Sequence, residues 1–423
     1  MLRLKGRLGK WSRAAFSAAL YCLLPTAYCL LLSAYCLPSS AQSLGDAQPG
    51  RPTLRRGPLW AKQPSGTFAW LHAVYFVDGA RGWAVGGRGA LLSTKDGGAS
   101  WQALRPPTAD TLRDVFFTDE LTGWLVCEAD LFNLKTESDA RSYLLRTADG
   151  GATWSRVELA KREPTNVARD DAAGRLLRVV FADREHGWTF GEEGTLYATS
   201  DGGDSWARQS VPTRHLLLGA HFLDARRGWL VGAGATFLYT SDGGATWRAG
   251  SLVTHADFDA GRVDAAKGDA SARASAQTAT RASAQATAPR VNAVSFVDER
   301  RGWAVGAAGA VYTTVNGGRS WRALASGTDA DLLDVKFFDA STGWAVGAAG
   351  TLLHTRDGGE TWEPESADTK HQLERLFFRD RLTGWAVGFG GTIISYPAQR
   401  PEPAVMPPAS PPKLRGPDGA KHP

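Results

Sequence analysis

A Gly-Trp pair recurs seven times along the chain at a regular spacing, and this repeat limits the possible folds more than any other feature. The seven tryptophans are Trp83, Trp124, Trp188, Trp229, Trp303, Trp344 and Trp385. A second motif, Thr-x-Asp-x-Gly-x-Ser/Thr-Trp, ends 18 residues after Trp83, and Trp124 follows 23 residues later. This period of 41 residues fits a four-stranded propeller blade, which has about 40–45 residues. The sequence therefore predicts an all-β fold, a seven-bladed β-propeller of four-stranded blades.

Two apolar columns run through the first strand of every repeat. The first column is a phenylalanine in all seven copies: Phe76, Phe117, Phe181, Phe222, Phe296, Phe337 and Phe378. The second column lies two positions earlier and is aliphatic, as at Val74 and Leu376. Side chains two apart on a strand share a face, so both columns are predicted to lie on the buried face of the sheet.

The last repeat is incomplete, and the start of the chain supplies a candidate for the missing part. The seventh copy stops at Tyr396, before any Asp-containing turn, and so lacks its fourth strand. Trp60 precedes Trp83 by 23 residues, the interval that otherwise separates a motif tryptophan from the next Gly-Trp. We therefore expect the segment around Leu59 to Ser65 to be the N-terminal strand that closes the last blade and removes two open sheet edges.

Both ends of the chain differ in composition from the repeats. Residues 1–41 combine a basic start with an apolar run from Ala14 to Leu37, which predicts a signal peptide cleaved before Gln42. Because the run is long, an uncleaved membrane anchor is the alternative, and it would bring the protein into contact with a membrane. Residues 42–57 are predicted to be a linker, residues 58–396 the propeller, and residues 397–423 a Pro-rich disordered tail.

The charge and cysteine content exclude two classes of interaction. The formal net charge is +5, but residues 1–41 hold five basic residues and no acidic one, so the remaining chain is nearly neutral. A nucleic-acid partner is not expected, since such binding depends on clustered positive charge. Cys127 is the one cysteine after the signal segment, so the mature chain is expected to have no internal disulfide.

Three insertions lengthen the repeats. They cover about Glu128 to Ala140, about Glu158 to Gly174, and about 249–290, and the last is rich in Ala, Ser, Thr and Gln and is predicted to be disordered. The first lies between the second and third strands of a blade, and the other two lie between blades. In an antiparallel blade these connections share one side of the ring, so all three insertions are expected on one face.

The polar turn that recurs in six of the seven repeats has a structural explanation. Its polar residues are Asp96, Asp149, Asp201, Asp242, Asn316 and Asp357. A carboxylate or amide at this place can accept hydrogen bonds from the backbone N–H groups of its own turn. A metal site would need several converging oxygens, whereas these residues lie in separate blades, so no metal is expected.

The polar residues of the first strands are the candidate channel-lining residues. They are Asp114, Arg178, His221, Asp334, Lys336 and Arg375. Asp114 and Asp334 are compatible with the paired carboxylates of a glycoside hydrolase. They are equally compatible with ion pairs to the neighbouring arginines or to Lys336, and the ion-pair interpretation is preferred.

Arginines recur in the loops between the first and second strands. They are Arg81, Arg184, Arg226, Arg227, Arg300, Arg301 and Arg381. Repeated around a ring, they could form a basic rim for an acidic protein segment or a lipid head group, and they are the candidate partner-binding residues. The alternative is a set of solvated charges balanced by neighbours such as Asp298 and Glu299.

The order of the motifs resembles a known family. Phe-x-Asp-x-x-x-Gly-Trp, then Gly-x-x-Gly, then the Asp-containing turn (the Asp box) is repeated as in Phe337 to Trp362. This combination is similar to the Asp-box propellers related to the photosystem II assembly and stability factor, over about Leu59 to Tyr396. The resemblance implies a lumenal or periplasmic, chaperone-like role in photosynthesis, helping to assemble a membrane complex.

These observations predict a binding protein. We expect no catalytic residues and no cofactor, because no phosphate-binding Gly loop, Cys/His cluster or Ser-His-Asp pattern is present. The expected protein is an exported monomeric scaffold, periplasmic, extracellular or in a thylakoid-like lumen, whose partner is a protein such as a subunit of a membrane complex. The alternative is a glycan-binding or glycoside-hydrolysing Asp-box propeller.

Overall fold

The computed structural model describes residues 59–130, 132, 134, 140–159, 174–253 and 289–397. These residues belong to one compact unit, Arg56–Pro423. The predicted signal peptide (1–41), the linker (42–57), most of each insertion and the tail from residue 398 lie outside the described residues. Within the described ranges, no helix is long and apolar enough to cross a bilayer.

The described residues form seven sheets, each built on four antiparallel strands, and we number them as blades in chain order of their innermost strands. Blade one contains β2 (Leu71–Phe76), β3 (Gly82–Gly86), β4 (Leu91–Thr94) and β5 (Gln102–Ala103). Blade two contains β6 (Thr111–Phe117), β7 (Gly123–Glu128), β8 (Ser142–Thr147) and β9 (Ser155–Val157). Blade three contains β10 (Leu176–Phe181), β11 (Gly187–Gly191), β12 (Leu196–Thr199) and β13 (Ala207–Arg208). Blade four contains β14 (Leu217–Phe222), β15 (Gly228–Gly232), β16 (Thr236–Thr240) and β17 (Arg248–Ala249).

The remaining three blades complete the ring. Blade five contains β18 (Ser251–Leu252), β19 (Val291–Phe296), β20 (Gly302–Gly306), β21 (Val311–Thr314) and β22 (Ser320–Leu324). Blade six contains β23 (Leu332–Phe337), β24 (Gly343–Gly347), β25 (Leu352–Thr355) and β26 (Glu363–Pro364). Blade seven contains β27 (Leu373–Asp380), β28 (Thr383–Gly388), β29 (Ile393–Tyr396) and β1 (Ala61–Gln63). The predicted seven-bladed propeller is confirmed.

The N-terminal strand closes the last blade, as predicted. Strand β1 pairs antiparallel with β29, with Ala61 opposite Ser395. The preceding Trp60 is fully buried, and its ring meets that of Phe378 edge-on at 5.7 Å. The box tryptophan of blade six makes the same contact, since the rings of Trp362 and Phe337 meet at 5.8 Å. Trp60 therefore occupies the place of the missing seventh box tryptophan.

The Gly-Trp repeat forms the packing between blades. The ring of Trp83 stacks at 3.7 Å on Phe117 of the next blade, and Trp303 stacks in the same way on Phe337 at 3.8 Å. The glycine of the pair makes room for the phenylalanine of its own blade, because a Cβ added at Gly82 would lie 2.5 Å from the Phe76 ring. Six of the seven phenylalanines are buried as predicted, and Phe222 is partly buried.

Blade five has a strand that composition did not indicate. Residues from 249 were expected to form a loop, but Ser251 and Leu252 form β18, which runs parallel to β22 along the outer edge of the blade. The backbone N–H of Val253 also donates to the carbonyl of Trp321 over 2.9 Å. Pairing of this kind uses backbone groups alone, so a polar sequence can cover an open sheet edge. Residues 254–288 of this insertion lie outside the described residues.

Each blade presents two sets of connections. Since its strands are antiparallel and sequential, the turns after the first and third strands lie on one side of the ring, and the connections after the second and fourth strands lie on the other. We call the first side the Asp-box face. The second is the insertion face, because the three sequence insertions occur in its connections.

Candidate binding surfaces of the channel and its rims

The first strands of the seven blades surround the central channel. Their side chains line a cavity of about 240 Å³, and the lining includes all six channel residues predicted from the sequence: Asp114, Arg178, His221, Asp334, Lys336 and Arg375. A register shift in each first strand, such as that between Leu71 and Ala73, precedes this part of the strand. The polar residues therefore meet in one cavity, although they come from blades two, three, four, six and seven.

Asp114 joins three blades. One carboxylate oxygen accepts a hydrogen bond from Arg375 of blade seven over 2.8 Å, and the other accepts one from the backbone N–H of Val179 in blade three over 3.0 Å. Arg375 reaches past blade one, which has the small residue Ala73 at the equivalent position. Burial raises the pKa of Asp114, and the charge of Arg375 opposes that rise.

Asp334 repeats part of this arrangement between blades six and seven. Its carboxylate accepts hydrogen bonds from the backbone N–H groups of Leu376 and Val335, both over 2.9 Å. Burial raises the pKa of Asp334 to about 7, and the negative charge of Asp114 adds to the rise. Asp114 thus has an ion pair, whereas the partners of Asp334 are backbone N–H groups.

The basic side chains of the cavity are less completely paired than its two carboxylates. Nη1 of Arg178 is buried and has no hydrogen-bond partner among the described residues. Burial lowers the pKa of Lys336, and the nearby Asp334 opposes that effect. His221 is neutral near pH 7, because burial and then the charge of Lys336 lower its pKa to about 3.

Three aromatic side chains form another part of the cavity wall. The ring of Tyr75 lies 4.6 Å from that of Phe116 and 5.0 Å from that of Phe377. Burial raises the pKa of Tyr75 to about 12, so this wall is uncharged at neutral pH. The cavity wall therefore includes both charged and aromatic side chains.

Most of the predicted rim arginines pair with acidic residues of an adjacent blade. Arg381 lies 2.9 Å from Asp339 and Arg184 lies 3.9 Å from Asp119, while Arg81 pairs with Glu120 and Arg227 with Glu299. Arg301 pairs with Asp298 of its own loop at 2.8 Å.

Two rim arginines differ from this pattern. The side chain of Arg300 donates to the carbonyl of Val315 over 3.4 Å, and Arg226 is exposed. The structure thus places the seven arginines on the Asp-box face, five of them in ion pairs.

The Asp-box residues are bonded within their own turns. Asp149 accepts hydrogen bonds from the hydroxyl of Thr147 at 2.7 Å, and from the backbone N–H and hydroxyl of Thr153 at 2.9 and 2.6 Å. Led by the side-chain bond from Thr153, these contacts lower the pKa of Asp149 to about 2. The turn also links blades, because the Trp303 indole donates to the carbonyl of Gly358 in the next box over 2.6 Å. In the described part of the chain, no group of three His, Cys, Asp or Glu side chains could hold a metal.

Sequence reasoning missed an aromatic patch on the insertion face, which we define as Phe68, Trp70 and Phe389. Trp70 and Phe389 meet edge-on at 5.3 Å and are 39% and 49% exposed, and Phe68 is 95% exposed. The Glu374 carboxylate lies near Trp70 and accepts a hydrogen bond from the Gln372 side chain over 2.9 Å. A signal was present, since Phe389 stands in a turn where blades five and six have Ala307 and Ala348.

The fold and these motifs are shared with known proteins. A family model described as "Photosynthesis system II assembly factor YCF48" matches residues 58–175, 205–266 and 319–394. A segment of 133 residues is 26% identical to the Photosystem II stability/assembly factor HCF136, chloroplastic, of Arabidopsis thaliana, covering 30% of this chain and 28% of that protein. The match thus spans less than a third of the length of this relative.

Two solved structures show the same architecture. One, "YCF48 bound to D1 peptide", has a TM-score of 0.58 at 19% identity and covers 81% of this chain and 96% of its own. The GH74 xyloglucanase from Xanthomonas campestris has a TM-score of 0.55 at 15% identity, covering 80% of this chain and 54% of its own. At such identities the likeness concerns the fold alone. The family model, however, matches more than half of the residues, and the chain belongs to the photosynthesis system II assembly factor YCF48 family.

Proposed function

We propose that this protein is an exported, non-enzymatic assembly factor that binds a polypeptide segment of a membrane-complex subunit through its insertion face. The observation that carries the choice of face is the aromatic patch. Its three side chains are exposed in connections of one face, and large aromatic side chains are enriched where protein partners bind. The patch also has a polar neighbour, because the Glu374 carboxylate lies near Trp70.

Family membership supports the type of partner. The similar solved structure is that of YCF48 bound to D1 peptide. An extended peptide can fill a shallow surface between blades by placing apolar side chains on exposed rings and backbone groups on polar neighbours. The aromatic patch and Glu374 offer both kinds of contact.

A binding titration tests the proposal directly. Fluorescence anisotropy of a labelled D1 peptide should show saturable binding to the chain from Gln42 onwards. Replacing Trp70 and Phe389 together by serine should raise Kd at least tenfold, since central aromatic side chains dominate such interfaces. The matched control replaces Leu121 and Leu382 together by serine, since these side chains are 58% and 72% exposed on the Asp-box face. This variant should leave Kd unchanged.

The basic rim on the Asp-box face is the competing surface. Arg226 and Arg300 are its exposed members without an acidic partner in the described structure, so they could meet an acidic segment. Reversing both to glutamate should leave peptide affinity within twofold if the insertion face binds. A loss confined to this variant, with the aromatic variant unaffected, would move the site to the Asp-box face.

Export to a compartment outside the cytoplasm is the last part of the proposal. The basic and apolar segment at residues 1–41 supports a signal peptide and a location in a periplasm, an extracellular space or a thylakoid-like lumen. Intact mass spectrometry of the protein from its host should give a mature chain that starts at Gln42. A mass that includes residues 1–41 would instead support a retained anchor.

A further inference from the structure

The channel cavity carries a charge that its own residues do not balance. With both carboxylates ionised, Arg178, Lys336 and Arg375 contribute three positive charges, and Asp114 and Asp334 contribute two negative charges. Arg375 is matched by Asp114 at 2.8 Å. What remains is one excess positive charge beside the neutral His221 and the uncharged wall of Tyr75, Phe116 and Phe377.

Arg178 is the charged side chain of the cavity whose hydrogen bonding is incomplete. The Asp114 carboxylate binds the backbone N–H of Val179, the residue next to Arg178, and uses its other oxygen for Arg375. Nη1 of Arg178 is consequently buried without a hydrogen-bond partner among the described residues. A buried guanidinium N–H that has no acceptor is unfavourable and is normally satisfied by a carboxylate, a phosphate or water.

We infer that the channel cavity is a binding site for a small monocarboxylate, whose oxygens accept hydrogen bonds from Arg178 and lie close to Lys336. With both carboxylates ionised, the single excess positive charge matches the one negative charge of a carboxylate. The volume of about 240 Å³ lies below the range of about 300–1,000 Å³ typical of drug-sized ligands, so the acid is small. The aromatic wall faces its apolar end.

The titratable groups around the site predict how affinity changes with pH. Asp334 has a pKa raised to about 7, so lowering the pH below 7 removes a negative charge from the cavity. Lys336 has a lowered pKa and keeps its charge better in acid. Asp114 stays paired with Arg375, while His221 and Tyr75 are neutral in this range. Both changing groups make the cavity more positive in acid, so the carboxylate should bind more tightly at pH 6 than at pH 8.

Acetate serves as the probe. A ligand that binds only the folded state raises Tm, so sodium acetate should raise Tm above the value in sodium chloride at equal ionic strength. Saturation-transfer NMR should show contact between the acetate methyl group and the protein. Inorganic phosphate is the second probe, and a response to phosphate but not to acetate would overturn the assignment to a monocarboxylate.

Two variants decide whether the cavity is the site. Arg178→Met should abolish the acetate effect, and Arg178→Lys, which keeps the charge but loses the planar pair of donors, should weaken it at least tenfold. Arg184→Met is the matched control, because this arginine is 77% exposed on the Asp-box face and should respond like the unchanged protein. If Arg178→Met does not fold, Arg178→Lys decides alone. No acetate response in the unchanged protein, or an undiminished response in Arg178→Lys, would refute the site.

Discussion

Arg375 of blade seven donates a hydrogen bond to Asp114 of blade two over 2.8 Å, although blade one lies between these blades. Blade one has the small residue Ala73 at the equivalent register position of its first strand, so no large side chain of that blade occupies this position. The contact joins residues that are 261 positions apart in sequence. The pair therefore connects blade two, near the start of the ring in sequence, with blade seven at its end.

Breaking this pair should destabilise the protein strongly. Arg375→Met leaves Asp114 buried without its partner, and removal of one member of a buried pair costs about 3–5 kcal/mol in the free energy of unfolding. Adding Asp114→Asn should recover part of the loss, because the amide carries no charge. Urea unfolding of the single and double variants measures this coupling.

The exposed pair Arg356–Glu363 provides the control for that experiment. Its side chains are 58% and 62% exposed, so Arg356→Met should change the free energy of unfolding by less than about 1 kcal/mol. Equal losses for Arg375→Met and Arg356→Met would contradict a special role for the channel pair.

Removing the tryptophan of the closing strand should be as damaging as removing one from the core of a blade. Trp60 is fully buried and contacts Trp344 at 5.4 Å and Phe378 at 5.7 Å. Trp60→Ala should lower the free energy of unfolding by about 3–5 kcal/mol, as for other large buried side chains. Trp70→Ala, at a partly exposed tryptophan in the connection between β1 and β2, should cost far less in thermal or urea unfolding. Comparable losses at both positions would argue against closure by β1.

Asp334 should make the protein less stable as the pH rises. Its pKa is about 7 in the folded state and near 3.8 when unfolded, so the folded state holds the proton more tightly. The stabilisation is complete below pH 3.8 and is lost as the pH rises towards 7, with a slope of up to about 1.4 kcal/mol per pH unit. Asp334→Asn should flatten the profile between pH 4 and 7 in urea titrations. An unchanged slope would refute the raised pKa.

The Asp-box carboxylates should make the protein more stable as the pH rises, which is the opposite of the effect of Asp334, and they should do so at lower pH. Hydrogen bonds, first from the Ser205 side chain, lower the pKa of Asp201 to about 2, so the charged form stabilises the fold. That stabilisation is present above pH 3.8 and is lost as the pH falls towards 2. Asp201→Asn should therefore reduce the loss of stability between pH 4 and 2.

The box of blade five naturally has asparagine at the position where the other boxes have aspartate. There the box has Asn316, whose carbonyl oxygen accepts bonds from the Thr314 hydroxyl and the Ser320 backbone, both at 3.0 Å. Asn316→Asp should add acid sensitivity to this blade, measured as a steeper decline of the urea midpoint below pH 4. If neither substitution alters the acid limb, the box carboxylates do not contribute to it.

The repeat made the fold predictable because each of its residues has a packing role that recurs. Gly82 admits Phe76, Trp83 stacks on the next blade, and Trp60 continues the series at the end of the ring. The same logic predicts which column of the first strands faces the channel. Those residues depart from the repeat at positions that face the axis.

The partners of the channel residues could not be predicted in the same way. The choice of Arg375 rather than Arg178 for Asp114 depends on distances across the ring, which sequence spacing does not encode. Strand β18 was missed because backbone pairing places no demand on side chains. The aromatic patch lies in connections between strands, where the repeat sets no expectation for side chains.

The pairing of Ala61 with Ser395 also fixes the order in which the ring can be completed. Ribosomes make β1 first, yet its only sheet neighbour in the described structure, β29, ends at Tyr396 near the close of the chain. During synthesis β1 stays unpaired until β29 has been made, after the strands of the first six blades. Closure of the ring is therefore a late event in folding. A chain that stops before β29 keeps two unpaired sheet edges, and such edges favour association between molecules.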